Sequence, residues 1–194
     1  MDRYRPAAGD RKVRHVAGWA NFEVTREGPW LTSERTRADA HKLRAEVDAI
    51  LIGAGTLRAD NPRLTVRLGK RNTLHPWRVV LTRSGNLPPD AHLFTDQHRE
   101  RTLVYKKRSL GFVLRDLGRR GVASVLIEGG SDILGQAFEQ GLVDRVQFYI
   151  APLILGGPKT LIGARLTVAP VIENPAYKRI GHDLRLTGDV RQSD

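Results

Sequence analysis

The sequence predicts an α/β fold of three layers, in which a mostly parallel central sheet carries helices on both faces and ends in an antiparallel C-terminal hairpin. Three observations lead there. Short, largely apolar runs recur at residues 47–52 (VDAILI), 78–81 (RVVL), 102–105 (TLVY) and 124–127 (SVLI), each too short for a buried helix. Such runs read as strands buried on both faces, the pattern of a parallel sheet. Segments with helical spacing lie between several of them, which is the βαβ signal. Finally, Gly181-His182-Asp183 joins two strand-like segments near the C-terminus, as a tight hairpin at a sheet edge requires.

In chain order, residues 1–15 are polar, charged and rich in Arg, Pro and Gly, and read as a flexible arm ahead of one domain at 16–194. Residues 13–25 carry the apolar positions of a first strand and a turn. Thr32 or Ser33 caps a helix over 34–47 that sets Ala38, His41, Leu43 or Ala45, and Val47 near one face. Strand 47–52 follows, bounded by Gly53 and Gly55, and the loop after it carries Thr56, Asp60 and Arg67. A polar, basic linker at 68–76 leads to strand 78–81, which stops at Thr82-Arg83-Ser84-Gly85. After a loop at 86–90, residues 91–94 suit a short strand and 102–105 the next one. Leu110, Val113, Leu114 and Leu117 make one apolar face of a helix over 110–120, stopped by Gly121. Strand 124–127 runs into Glu128-Gly129-Gly130-Ser131 and a helix over 132–140. Residues 145–151 (RVQFYIA) form a strand closed by Pro152, and the hairpin strands centre on 176–180 and 184–186.

Composition bounds the function. A chain of 194 residues, 40% hydrophobic and 27% charged, suits one soluble globular domain with a full core. No apolar run approaches the roughly 20 residues of a membrane-spanning helix. The opening residues also lack the apolar core of a secretory signal, which predicts a cytoplasmic protein. The absence of cysteine excludes disulfides and thiolate metal sites, and no His-rich cluster suggests another metal centre. A net charge of +11, from 32 Lys and Arg against 21 Asp and Glu, brings nucleic acid into consideration. The basic residues are scattered, however, with only short pairs such as Lys106-Lys107 and Arg119-Arg120, which favours anionic small molecules.

In open parallel sheets ligands sit beyond the carboxyl ends of the strands, so the residues that follow each strand are the candidates for chemistry. Two glycines at a strand-to-helix turn let backbone N–H groups approach a pyrophosphate, and the helix N-terminus adds about half a positive charge. A strand that stops at hydroxyls and an arginine suits a phosphate, although a plain basic turn fits Arg83 equally well. Each candidate has a structural competitor. Asp60 before Asn-Pro is a common turn starter, Trp30 a large core anchor, Arg44 a solvated helix position and Glu128 a cap on backbone amides.

The words LRAEVDAILIGAGT (43–56), RADNPRLTVR (58–67), VLIEGGSDILG (125–135) and IAPLILGG (150–157) resemble, as an ordered set, the riboflavin-pathway pyrimidine reductases, whose catalytic domain is similar to dihydrofolate reductase. The resemblance implies NADPH-dependent reduction of 5-amino-6-(5-phosphoribosylamino)uracil to its ribitylamino product, with no metal, by a homodimer whose contact includes strand 145–151. It assigns NADPH to Trp30, Thr56, Asp60, Arg83 and the run Gly130, Ser131, Asp132, Ile133, Leu134 and Gly135. It assigns the phosphorylated pyrimidine to Arg44, Arg67, Glu128 and the backbone at Leu64. Asp60 is also implied as the catalytic group that relays or orients a proton.

The chain departs from the family near its start. A lysine-bearing first strand followed by a Ser-x-Asp-Gly turn is missing, with Lys12 or His15 left to take the lysine's place, and Gly28 stands where the family has a serine. Two alternatives therefore stay open: reduction of the 2,5-diamino-6-ribosylaminopyrimidinone phosphate, or a nucleotide-binding relative with reduced or no catalysis. The lack of cysteine also excludes, within these residues, the thiolate-ligated zinc centre of the nucleobase deaminases that are often fused to such reductases.

Overall fold

The computed structural model describes residues 31–69, 75–154, 162, 166–167 and 169–191, and the backbone of 14–18. Its strands are β1 (Arg14–Gly18), β2 (Ala49–Gly53), β3 (Trp77–Thr82), β4 (Thr102–Lys106), β5 (Ser124–Glu128), β6 (Arg145–Ile150), β7 (Val171–Ile180) and β8 (Asp183–Arg191). Its helices are α1 (Glu34–Ala45), α2 (Ala54–Asp60), α3 (His92–Thr95), α4 (Leu110–Arg119) and α5 (Ser131–Glu139), with a 3-10 turn at Arg99–Arg101. The strands form one eight-stranded sheet in the order β4-β3-β2-β5-β1-β6-β8-β7. β1 to β6 are mutually parallel, and β8 runs antiparallel to both β6 and β7. This is the predicted α/β arrangement with its C-terminal hairpin at one edge.

Strand residues alternate between two cores, as the two-residue period of a strand demands. Ala49, Leu51, Val79, Leu81, Val125 and Ile127 face a core shared with α4 and α5. Ile50, Ile52, Val80 and Leu126 face a second core with Leu57, Leu64 and Leu93. Covering both faces explains why these strands read as unbroken apolar runs. α4 shows how the sequence makes its helices: Ser109 caps it by accepting the Phe112 amide at 3.3 Å, and Leu110, Val113, Leu114 and Leu117 are wholly buried. Truncating one of these leucines to alanine costs about 2–5 kcal/mol.

Three local expectations are corrected. The segment expected as a strand at 91–94 is instead the start of helix α3, with Ala91 at its N-cap, because Asn61 Oδ1 accepts the His92 amide at 2.9 Å and the backbone closes on itself from Ala91 onward. The segment after β2 is helix α2 rather than a loop, ending at Asn61 in a left-handed conformation. α1 stops at Ala45, and its buried face is Thr36, Asp39 and Ala40, with Ala38 and Ala45 exposed. The reason is polar packing. Asp183 of β8 accepts the Ser33 amide at 2.8 Å and the Thr36 hydroxyl at 2.6 Å, while Asp39 accepts Tyr149 at 2.9 Å and Arg185 at 2.7 Å. A helix clipped by carboxylates presents polar residues inward, which apolar periodicity does not detect.

Candidate active site

The carboxyl ends of β4, β3, β2 and β5 lie side by side along one edge of the sheet. Leu51 pairs with Ile127, Gly53 with Leu81 and Thr82 with Lys106, so the residues just beyond each strand come level with one another. Thr56, in the first turn of α2, meets Gly129 and Gly130, which follow β5. Gly130 caps α5 with φ +81°, and a Cβ there would lie 3.3 Å from Thr56 Oγ1 and 3.7 Å from the Gly53 nitrogen. Any other residue would fill the crevice and strain the backbone. The first-turn amides of Ser131 and Asp132 have no carbonyl partner within the helix, so an anion seated here meets N–H groups and the positive end of the dipole.

One strand away, β3 ends at an exposed basic turn. The Thr82 hydroxyl accepts the Gly85 amide at 3.1 Å, and Gly85 has φ +81°. A Cβ on Gly85 would stand 2.9 Å from Cδ and Cε of Lys106, so glycine lets the lysine chain lie over this turn. Arg83 and Lys106 thus present two exposed cations at neighbouring strand ends.

A second cluster forms where β5 meets α1. Arg44, in the last turn of α1, grips Glu128 at the end of β5 with two bonds of 2.6 Å, Nε to Oε1 and Nη2 to Oε2. These side chains are 18% and 11% exposed, and Arg44 Nη1 reaches the Thr65 carbonyl at 3.4 Å. Burial opposes the charge on Arg44, but Glu128 outweighs it and holds the guanidinium above its usual range. His41, one turn earlier on α1, is pushed down to about 4, first by burial and then by Arg44 and Arg67, against Glu128 and a bond to the Thr65 backbone. It is therefore neutral at physiological pH, and its buried Nδ1 has no hydrogen-bond partner among the described residues. Leu64 turns the chain here with φ +49° while its side chain fills the second core. Arg67 is exposed, with Nε 3.5 Å from the Thr65 hydroxyl.

Residues 23–186 match the model of the RibD C-terminal domain. The chain belongs to this family. Among RibD relatives, the Mycobacterium tuberculosis riboflavin biosynthesis protein RibD is 37% identical over 164 residues, 81% of this chain and 47% of that protein. The 2,5-diamino-6-ribosylamino-4(3H)-pyrimidinone 5′-phosphate reductase of Aquifex aeolicus is 30% identical over 159 residues, 69% of this chain and 70% of that enzyme. A crystal structure from Thermotoga maritima shares the fold with TM-score 0.74 at 22% identity, covering 95% of this chain and 58% of its own. Its protein is named as a diaminohydroxyphosphoribosylaminopyrimidine deaminase and 5-amino-6-(5-phosphoribosylamino)uracil reductase. The chain spans about half the length of the RibD protein from M. tuberculosis.

Set against this RibD-domain frame, the residues singled out from sequence fall into groups. Arg44, Glu128, Arg67 and the backbone at Leu64 and Thr65 converge, although Arg44 spends its strongest donors on Glu128. Thr56 and Gly130 converge with Gly129. In the 130–135 run, Ile133 and Leu134 are buried in the first core and Gly135 is buried too, so any contact with a bound molecule falls to the backbone and to Ser131 and Asp132. Arg83 lies exposed at the neighbouring strand end, and Asp60 is an exposed residue closing α2. Trp30, Gly28, Lys12 and the missing turn lie outside the described residues, as does the His15 side chain. His41 and Lys106 were not assigned from sequence. His41 could have been found from its position three residues before Arg44, which puts both on one helix face.

Proposed function

We propose that the chain is an NADPH-dependent oxidoreductase that reduces 5-amino-6-(5-phosphoribosylamino)uracil to 5-amino-6-(5-phosphoribitylamino)uracil in riboflavin biosynthesis. The supporting observation is the continuity of Glu128, Gly129 and Gly130, which joins a charged cluster suited to a phosphorylated pyrimidine to a glycine cradle suited to a dinucleotide. Family membership and the names of the relatives support the same reading.

In this reading the amides around Gly130, Ser131 and Asp132 bind the pyrophosphate, with Thr56 beside them. Arg83 and Lys106 grip the adenosine 2′-phosphate, the group that separates NADPH from NADH. Bound there, the cofactor supplies hydride for the ribose carbon C1′. Arg67 and the backbone at Leu64 hold the substrate phosphate, and the Arg44–Glu128 pair fixes a polar wall whose charges cancel. Asp60 relays or orients the proton that the sugar needs as its bond to C1′ opens. The working unit is a cytoplasmic homodimer. Exposed Ile150, Leu153, Ile154, Val171 and Tyr177, near β6 and the hairpin, support that contact. Among the described residues no helix is long and apolar enough to cross a membrane.

The Aquifex enzyme's name favours, as second reading, reduction of the 2,5-diamino pyrimidinone phosphate. Loss of reduced-cofactor absorbance with each pyrimidine, and with NADPH or NADH, separates the two. Turnover of the uracil compound with NADPH is expected. Saturable NADPH binding without turnover of either compound would show a nucleotide-binding relative that has lost catalysis.

A further inference from the structure

Residues 61–67 run as irregular chain between α2 and the segment leading to β3, so their buried amides need partners from elsewhere. Val66 is 5% exposed and lies between Thr65 and Arg67 of the charged cluster. Its amide donates to Nδ1 of His75 at 3.2 Å. Only an unprotonated Nδ1 accepts, so this bond sets His75 as the neutral imidazole with its proton on Nε2.

The surroundings of His75 are built to keep it so. Its ring sits 4.2 Å from that of His98, centre to centre, and the guanidinium cations of Arg78 and Arg101 face it. Among the described residues the carboxylate that faces it is Asp96, which accepts Arg78 Nη1 at 2.7 Å. Burial first, then His98, Arg78 and Arg101, hold His75 below the usual histidine range. Arg78 is wholly buried and also donates to the Arg63 carbonyl at 3.3 Å. Residues 63 and 66 are thus pinned from below by β3 and its lead-in, on the far side from Arg44. Arg63, Thr65, Val66, His75, Asp96 and His98 line an open cavity of about 430 Å³ at this point.

We propose that His75 is a positioning residue for substrate binding: as a neutral acceptor it holds Val66, and with it Thr65 and Arg67, in the substrate-gripping conformation, and its protonation releases them. The inference rests on the reading of Leu64 to Arg67 as a substrate site. Protonation turns Nδ1 into a donor pointed at a donor, so the Val66 amide loses its partner and an added cation joins Arg78 and Arg101. Affinity for the pyrimidine then falls on the acid side, while the cofactor cradle at Gly130 is untouched.

Two variants test this. His75→Gln offers an amide oxygen that does not titrate, and His75→Leu offers no acceptor. With NADPH saturating, the wild-type KM for the pyrimidine is expected to rise as pH falls below the usual histidine range, more steeply than that of His75→Gln, which follows only the substrate phosphate's own titration near pH ~6. His75→Leu is expected to show a KM raised by roughly 5- to 30-fold at every pH, as loss of one buried hydrogen bond implies, with KM for NADPH and kcat changed less than about twofold. Equal loss of both affinities and of kcat would mark His75 as merely structural and overturn the proposal, as would a wild-type acid limb retained in His75→Gln. Hydrogen exchange at the Val66 amide needs no turnover: protection should fall in His75→Leu and, on acidification, in wild type but not in His75→Gln. An amide that stays protected in His75→Leu overturns the proposal outright. Loss of protection without turnover of either pyrimidine by the wild-type chain would instead refute the substrate reading on which it rests.

Discussion

Replacing Glu128 by glutamine should destabilise the protein by about 2–3 kcal/mol, and the size follows from where the pair lies. Breaking a fully buried ion pair by removing one charge costs about 3–5 kcal/mol, whereas an exposed pair is worth about 0–1. The Arg44 and Glu128 side chains are 18% and 11% exposed and make two bonds of 2.6 Å, which places them near the buried limit with some relief from solvent. Glutamine keeps one oxygen acceptor but leaves the guanidinium uncompensated. For a chain of this size about 2–4 °C of Tm accompanies each kcal/mol, so a fall of roughly 4–12 °C is expected. Urea unfolding at neutral pH measures the loss directly, provided the slope with denaturant is unchanged. Arg44→Met should lose a comparable amount, and the Arg44→Met/Glu128→Met double variant should recover most of it, because two apolar chains replace the pair without stranding a charge. The recovered protein should still fail to bind the pyrimidine. If each single variant loses less than about 0.5 kcal/mol and the losses add, the pair is an ordinary surface contact and the argument is wrong.

His41 should tie stability to pH. Its folded value of about 4 lies below the unfolded 6.5, so the stabilisation is complete above pH 6.5 and is lost as pH falls toward 4. Half-burial discounts the full linkage of ~2 kcal/mol at pH 5 to about 1 kcal/mol, so urea titrations at pH 7 and pH 5 should differ by about that much more in wild type than in His41→Gln. Gly130→Ala should weaken NADPH binding at least tenfold, read by cofactor fluorescence, because the new Cβ meets Thr56 at 3.3 Å in a left-handed backbone. Arg83→Ala and Lys106→Ala should each weaken NADPH by about 1–2 kcal/mol and NADH hardly at all, and equal losses for the two cofactors would remove these residues from the phosphate site. Asp60→Asn should lower kcat about 100-fold with NADPH affinity unchanged, and unaltered turnover would take Asp60 out of the mechanism.

The parallel sheet was legible because burial on both faces writes itself into consecutive residues. The runs that become β2, β3 and β5 contain hardly any polar residue, and the turn after β5 is marked by Gly129 and Gly130, whose positive φ favours glycine. Arg78 is the exception that shows the limit. It opens an apolar run yet is itself wholly buried, paired with Asp96 from a turn 18 residues on, and residue type alone predicts it outside. The inward face of α1 escaped for the same reason. Asp39 and Thr36 read as surface residues until Arg185, Tyr149 and Asp183, some 110 to 147 residues later, supply their partners. Long-range polar pairing leaves no local period.

That pairing also bears on the site. α1 carries His41 and Arg44 on the turns next to Asp39, and Asp39 and Asp183 fasten the helix to β6 and β8 rather than to the strands whose ends make the crevice. The helix is thus held from one side of the sheet while its last turn reaches Glu128 on β5. Positioning through buried carboxylates gives a single register, since sliding α1 by one residue would strand both charges in a poorly solvated interior. An apolar helix face tolerates such a slip far better. The polarity that hid the inward face of α1 is therefore what sets Arg44 opposite Glu128, and a C-terminal hairpin far from the crevice in sequence becomes part of the machinery that shapes it.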